Sequence, residues 1–450
     1  MKIALKNKNV LVLGLGDTGL SAVRWLCAQG AHVCVADTRD NPPGREVLLA
    51  EFPQVSLMSG AFQVTSFSNQ DLIVASPGVP LAEPEIQAAI ARGVAVVGDV
   101  ELFAQYRDQN VKVIAITGAN GKTTVTTLVG EICKAAGLKT IVAGNIGLPV
   151  LDTLNMPTPD VYVLELSSFQ LETTSSLVVD TATMLNLSED HMDRYDGMQA
   201  YAMAKARIFY NAKLQVLNRD DAWSMVMARS QLQQISFGLS ADAQDYGLKE
   251  IEGEFWLSAG EKPLMNMQDL KIAGLHNVAN ALAAIALCRG IGIEYVPILQ
   301  TLYAFKGLPH RVEWVANIDD VDYYDDSKGT NVDATCAAIT GLSKQVVLIA
   351  GGDGKGQDFS PLKTPVTDHA RAVVLLGRDA SLIEAALIET NVPMYRAIDL
   401  PEAVNIARKI AHSNDIVLLS PACASFDMFK NYIHRSEVFV AAVNQLKETA

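Results

Sequence analysis

Cysteine is scarce and scattered in this chain. The six thiols (Cys27, Cys34, Cys133, Cys288, Cys336 and Cys423) occur singly, and no Cys-x-x-Cys pair is found. That argues against a disulfide framework and for buried thiols in a reducing cytoplasm. No apolar run approaches the ~18 residues a membrane span requires, so a soluble protein is expected. The run that follows Lys2, Lys6 and Lys8 is short and ends in glycines, which reads as a first strand and not as a signal peptide. Cations are also in deficit, with 36 Lys and Arg against 50 Asp and Glu and a net charge of −14. This balance argues against nucleic acid or an anionic membrane as a partner. If the substrates are phosphates and carboxylates, basic residues must be gathered locally against an unfavourable overall field.

At 450 residues the chain has room for two to four domains. Its 49% hydrophobic and 19% charged residues are ordinary for a packed globular protein. The most informative stretch is VKVIAITGANGKTT, residues 111–124. Val111, Val113, Ile114, Ala115 and Ile116 read as a buried strand. A glycine loop then leads into the amphipathic run of Val125, Leu128, Val129 and Ile132. Strand, glycine loop and helix in that order aim backbone N–H groups and a helix N-terminus at one spot, where a phosphate is stabilised. Lys122 would reach the β- and γ-phosphates of a nucleoside triphosphate, and Thr123 would ligate Mg²⁺. Ile116 stands where the strict G-x-x-x-x-G-K-[ST] pattern has its first glycine. The alternative is a capped helix with a solvated lysine.

Upstream, a strand at 10–13 enters Gly14-Leu15-Gly16-Asp17-Thr18-Gly19. A helix is predicted over 20–29, and a second strand, 32–36, ends in Asp37-Thr38-Arg39. This has the form of the dinucleotide fingerprint and supports binding of a nucleotide diphosphate without specifying a nicotinamide. A tight turn that needs glycine for packing is the alternative. Strands at 71–76 and 94–97 close a first unit near residue 104, a parallel sheet with helices on both faces. Downstream, Glu165 ends a run of strand formers at the edge where an α/β sheet presents ligands. A carboxylate there is costly unless it meets a cation, so a Mg²⁺ ligand is the economical reading and a solvated strand end its alternative. The stretch 189–194 crowds acids around His191, which suits a site or a solvated turn equally. Lys205 lies on the next predicted helix, 198–210, where a lysine is ordinarily solvated. Residues 240–272 read as a small meander with little chemistry. Beyond Gly307, strands at 346–350, 372–376 and 416–419 each end in a small polar turn. They make a third α/β unit whose strand order the sequence leaves open.

Taken together, TGANGKTT, GNIG, LELSSFQLE, EDHMDRY, GLHNVANALAA, GLPHRVE, DDSKGTN, AGGDGKGQDF and SPACASFD resemble the Mur ligase family. The blocks occur in the family's order and cover essentially the whole chain. The front end GLGDTGLS…DTR, with DDSKGTN and SPACASFD, is similar to the branch that adds D-glutamate. The Asp-Asn-Pro-Arg stretch of the diamino-acid ligases is not found. Asp325 and Gly329 stand where that branch often has Asn and Ala, and Met428 replaces a common polar residue.

The resemblance implies three α/β domains. The first, 1–103, is Rossmann-like and binds the UDP substrate; the second, 104–306, is a P-loop ATPase-like domain with a mixed sheet; the third, 307–450, is Rossmann-like and binds the amino acid. It implies ATP-dependent ligation of D-glutamate to UDP-N-acetylmuramoyl-L-alanine through an acyl phosphate, giving ADP and phosphate, in peptidoglycan precursor synthesis. Lys122, Glu165, His191 and Lys205 are the implied catalytic set. Thr123 and Glu165 would hold one Mg²⁺, and His191 with Lys205 a second. An ammonium cannot ligate a metal, so Lys205 would have to be carbamylated, which needs a depressed pKa. ATP would meet Gly118, Asn120, Gly121, Lys122, Thr123 and Thr124, with Asn277 and Asn280 on the adenine and Arg311, Asp326 and Lys328 closing from the last domain. Gly14, Leu15, Gly16, Asp17, Thr18, Asp37, Thr38 and Arg39 would surround UDP, with Ser76, Asn145 and His191 near the muramoyl part. Thr330, Lys355, Ser425, Phe426 and Tyr432 would frame D-glutamate. A cytoplasmic monomer with neither a nucleic-acid nor a membrane partner is expected. One rival is a nicotinamide oxidoreductase, which leaves the phosphate loop unexplained, and another is a non-catalytic nucleotide switch. Within the ligases, an L-alanine, diamino-acid or folylpolyglutamate-type enzyme is the alternative.

Overall fold

The computed structural model describes residues 2–272, 274–342 and 344–449. It contains three sheets, each in its own stretch of chain. The first is five parallel strands in the order Ser56–Ser59, His32–Asp37, Asn9–Leu13, Leu72–Ala75, Ala95–Val97. The direction of chain travel reverses between Asn9–Leu13 and Leu72–Ala75, which opens a crevice at their carboxyl ends.

In the nine-stranded central sheet, Lys112–Thr117 lies between Val161–Glu165 and Val179–Met184, again at a reversal of strand order. The meander expected beyond residue 240 forms its antiparallel edge, as Tyr246–Ile251, Glu254–Ala259 and Lys262–Asn266. The third sheet has six strands, of which Glu313–Ile318 is antiparallel to Val321–Asp325 and the rest pair in parallel. Three of its strands were legible beforehand. Glu313–Ile318 and Met394–Arg396 lie at the sheet's edges, where partial exposure breaks the apolar run. By contrast Val10 to Leu13, Val113 to Ile116 and Val346 to Ala350 are fully shielded. Helices cover both faces of the parallel portions of these sheets, so the central strands read as unbroken apolar segments.

The domains are joined by structured connections. The expected boundary at 103/104 falls inside the helix Asp99–Tyr106. Glu101 on that helix accepts from the amides of Ser175 and Ser176 at 2.7 and 2.9 Å, docking it on the central domain. The buried Arg107 then donates to the carbonyls of Val111 and Val178 at 2.9 Å each. The third domain touches the second directly, with Asn331 Nδ2 donating to Asn120 Oδ1 at 3.0 Å.

Candidate active site

The first crevice is built by three glycines. Gly14 adopts φ +82°, and a Cβ on Gly19 would sit 1.9 Å from the Gly14 carbonyl oxygen, so only glycine lets loop and helix approach this closely. Ser76 arrives from the neighbouring strand and donates to that same carbonyl at 3.1 Å. Gly16 caps the helix Asp17–Ala28, which places Asp17 and Thr18 in its first turn. Asp37 is buried and accepts from the Leu15 amide at 2.7 Å and from the Arg39 guanidinium at 2.8 and 2.6 Å. Burial alone would raise its carboxyl, but Arg39 and the two amides hold it below the ordinary value. Both Asp37 oxygens are thus engaged, and the half-exposed group presented beside Thr38 is the Arg39 cation. That leaves no free carboxylate oxygen for ribose hydroxyls and offers a cation to a phosphate.

The phosphate loop follows Lys112–Thr117 and opens the helix Lys122–Ala135. Gly118 and Gly121 take positive φ, +155° and +80°, so the missing first glycine at Ile116 is made good two residues later. Asn186, which the sequence reading missed, braces the loop: its carbonyl accepts from the Ala119 amide, its Oδ1 from the Asn120 amide at 2.7 Å, and its Nδ2 donates to the Asn120 carbonyl. A Cβ on Gly121 would lie 2.4 Å from Asn280 Oδ1, so Asn280 packs onto the loop. Asn280 Nδ2 also donates to Asn277 Oδ1 at 3.2 Å. Thr123 and Thr124 occupy the first helical turn.

The Lys122 ammonium donates to the Gly118 and Ala119 carbonyls at 2.8 Å each, and desolvation lowers its pKa. Lys205 is 2% exposed, on the helix Met198–Ala206. Its Nζ reaches the Gly118 carbonyl at 2.8 Å and Thr117 Oγ1 at 3.3 Å. Burial first, then the Lys122 charge, drive its pKa well below that of a free lysine. A neutral amine in this place fits carbamylation.

Glu165 Oε1 accepts from Asn145 Nδ2 at 2.7 Å, while Oε2 is buried with no hydrogen-bond partner among the described residues. An orphaned anionic oxygen beside a phosphate loop is the donor a hard divalent cation takes, so these residues fit Mg²⁺. Asn145 orients that carboxylate. His191 sits at φ +59°, with Nε2 3.4 Å from Asp190 Oδ2 and Phe169 packed on its ring. Burial, reinforced by Lys355, Lys122 and Lys205 against Asp190, takes its pKa down to about 4. The ring is therefore neutral at pH 7, the form that ligates metal.

From the third domain, Lys355 Nζ lies 3.3 Å from Asp190 Oδ1. Arg311 lies close enough to Asp326 and Glu165 to feel both charges. Burial lifts the Asp326 carboxyl to about 7, and Ser420 Oγ donates to it at 2.7 Å. Burial, helped by Arg311 and Lys122, brings Lys328 down to about 8, and its Nζ sits 4.0 Å from the Tyr432 ring centre. Thr330 is half-buried and Ser425 buried. Phe426 is 72% exposed, so its ring is turned to solvent. Lys122, Lys205, Lys328, Lys355 and Arg311 thus converge on Glu165, Asp190 and Asp326, the local gathering of cations that the overall charge demanded.

Asp190 is a central residue that sequence reasoning did not single out, although the acid-dense block around His191 contained it. Asn186 and Asn331 carried no signal, because a bracing asparagine looks like any loop asparagine. No helix among the described residues is long and apolar enough to cross a membrane.

The family models that match are "Mur ligase MurD-like, N-terminal domain" over residues 8–98, "Mur ligase middle domain" over 116–288, and "Mur ligase, glutamate ligase domain" over 310–423. The chain is 64% identical to the UDP-N-acetylmuramoylalanine--D-glutamate ligase of Methylobacillus flagellatus, over 99% of both chains. It is 54% identical to the enzyme of the same name from Thiobacillus denitrificans, over 99% of this chain and 98% of that one. Among solved structures it is similar to MurF from Acinetobacter baumannii, with a TM-score of 0.62 at 18% identity over 98% of this chain and 92% of that one. It is also similar to the UDP-N-acetylmuramate-alanine ligase of Thermotoga maritima, with a TM-score of 0.61 at 22% identity over 99% and 100%. These two likenesses concern the fold.

Proposed function

Since this chain belongs to the Mur ligase family, we propose that it joins D-glutamate to UDP-N-acetylmuramoyl-L-alanine with cleavage of ATP to ADP and phosphate. The reaction is a step of peptidoglycan precursor synthesis, carried out by a cytoplasmic monomer. The observation that carries this reading is the convergence of basic side chains from two domains on one phosphate loop beside the orphaned Glu165 oxygen.

The chemistry must press a carboxylate against a γ-phosphate although both are anions. Lys122, Arg311, Lys328 and the loop amides would offset that repulsion. Asp326, whose charge Arg311 feels, would close on ATP with it, and Asn277 and Asn280 would face the adenine. Mg²⁺, held by Thr123 and Glu165 and by His191 with carbamylated Lys205, would supply Lewis-acid stabilisation of the phosphoryl oxygens. The Gly14–Thr18 turn, Asp37, Thr38 and Arg39 hold the UDP end, with Ser76 and Asn145 toward the sugar. Lys355 would exchange Asp190 for a D-glutamate carboxylate, next to Thr330, Ser425, Phe426 and Tyr432. The amine of D-glutamate then attacks the acyl phosphate, and phosphate leaves the tetrahedral intermediate. The hydrogen bond from Asn331 to Asn120 supports closure of the third domain over the loop, which would keep water from the acyl phosphate.

The test is a phosphate-release assay with Mg²⁺, ATP, UDP-N-acetylmuramoyl-L-alanine and one amino acid at a time: D-glutamate, L-glutamate, L-alanine or a diamino acid. Turnover is expected with D-glutamate alone. Turnover with another of these and none with D-glutamate would make it a different ligase, and no ADP with any of them overturns the reading.

A further inference from the structure

We propose that Ser436 and Asp325 are positioning residues for Arg311: they lock the His310 ring, and with it the strained corner on which Arg311 is carried into the phosphate site. The proposal rests on the ligase reading for the role of Arg311.

The corner is unusual. His310 and Val312, on either side of Arg311, both have left-handed backbones, with φ +63° and +48°. A β-branched residue in that region is strained and persists only where its surroundings over-determine it. Here they do. The His310 amide donates to Glu313 Oε2 at 2.7 Å, and its carbonyl accepts from the Lys328 amide at 3.1 Å. The ring is gripped harder still. His310 Nδ1 lies 2.7 Å from Ser436 Oγ and 3.0 Å from Asp325 Oδ2, and Ser436 Oγ donates to Asp325 Oδ2 at 2.6 Å. Asp325 and Ser436 are essentially inaccessible to water, and Ser327 donates to the other Asp325 oxygen through its amide and hydroxyl.

Proton counting decides what this triangle is. Ser436 has one hydrogen and gives it to Asp325, so its lone pair takes the hydrogen on His310 Nδ1. Serine, histidine and aspartate usually suggest a nucleophile, but that arrangement puts serine and aspartate on opposite ring nitrogens. Here both address Nδ1, so the serine is a strut. His310, Glu313 and Asp325 are also close enough to share an ion, but His310 Nδ1, Glu313 Oε2 and Asp325 Oδ2 are already hydrogen-bonded. The strut comes from the C-terminal helix Tyr432–Thr449, where the neighbouring Arg435 donates to the Ser327 and Cys423 carbonyls at 2.8 and 3.1 Å. That helix is thereby tied to the ATP side of the site.

The experiment compares wild type, Ser436→Ala, Ser436→Thr and Asp325→Asn by calorimetric titration with Mg·ATP, by steady-state kinetics and by thermal melting. In Ser436→Ala the ATP dissociation constant and the KM for ATP are expected to rise about tenfold, the loss of one hydrogen bond in a charged network. The KM for the nucleotide-sugar substrate should stay within about twofold, and Ser436→Thr, which keeps the hydroxyl, should recover most of the ATP affinity. Asp325→Asn should weaken ATP binding in the same direction. Unchanged ATP affinity in Ser436→Ala overturns the proposal. So does an equal loss for all substrates that tracks a lowered melting temperature, which would mark a merely structural residue. The titration needs no turnover, so the corner is tested even if the wild type fails as a ligase.

Discussion

Gly118 offers one carbonyl oxygen to two lysines: Lys122 Nζ and Lys205 Nζ both donate to it at 2.8 Å. Two ammonium groups converging on one acceptor repel each other, and the more enclosed of the two gives up its proton more readily. Lys205 is that one, shut in with the Thr117 hydroxyl and the Tyr201 ring.

Lys205→Ala is therefore expected to lose phosphate release by at least ~100-fold, the upper range for disturbing a metal ligand's surroundings. Lys205→Arg, which stays cationic, should be no better. Formate or acetate should partly restore the alanine variant and bicarbonate should not. Unchanged turnover in Lys205→Ala would remove the carbamate.

Lys122→Ala should abolish acyl-phosphate formation, because the charge facing the β- and γ-phosphates is lost. Positional isotope exchange in ATP, run with the nucleotide-sugar substrate and no amino acid, reads this step directly. Full exchange in the variant would refute the role given to the loop.

Lys355→Met should raise the KM for D-glutamate by more than about tenfold while leaving that for the nucleotide-sugar near its wild-type value. Equal effects on both would assign Lys355 to domain closure through Asp190 and not to the amino acid.

Asp99 gives a pH-dependent prediction. It is 2% exposed, and neither carboxylate oxygen has a hydrogen bond of good geometry among the described residues. Burial lifts its pKa to about 6 from an unfolded value near 3.8. A raised folded pKa means that the native state binds more protons between those values, so the native state is favoured below them and loses stability as pH rises through about 6. Asp99→Asn, which cannot ionise, should melt several degrees higher than wild type at pH 8 and nearly level with it at pH 4. A difference independent of pH would show that Asp99 is not titrating.

Much of this architecture was readable because its central strands are buried on both faces. The runs at Val10, Val113 and Val346 announced themselves, and the glycine turns after the first two marked both crevices. Edge strands such as Met394–Arg396 were lost because half-exposed positions carry mixed residues. Site residues that change charge where burial makes charge costly, such as Glu165, could be reasoned out. Asn186 and Ser436 could not, since their importance lies in which backbone or ring they meet at sequence separations of 66 and 126. Lys205 was picked out only by the family resemblance, for a related reason: nothing in its own helix says that the neighbouring phosphate loop covers it.

The basic cluster sits inside a strongly acidic molecule, and this sets how ligands arrive. In dilute buffer, where the Debye length is about 30 Å at 0.01 M, an incoming nucleotide meets the halo of the whole chain, which repels it; at physiological salt the length shrinks to about 8 Å and the basin of lysines takes hold first. Added electrolyte flattens the outer hill more than it weakens the enclosed pairs, which are poorly screened. Nucleotide capture by this protein is accordingly expected to quicken as ionic strength climbs from near zero to cellular levels, the opposite of an enzyme whose field steers its substrate in.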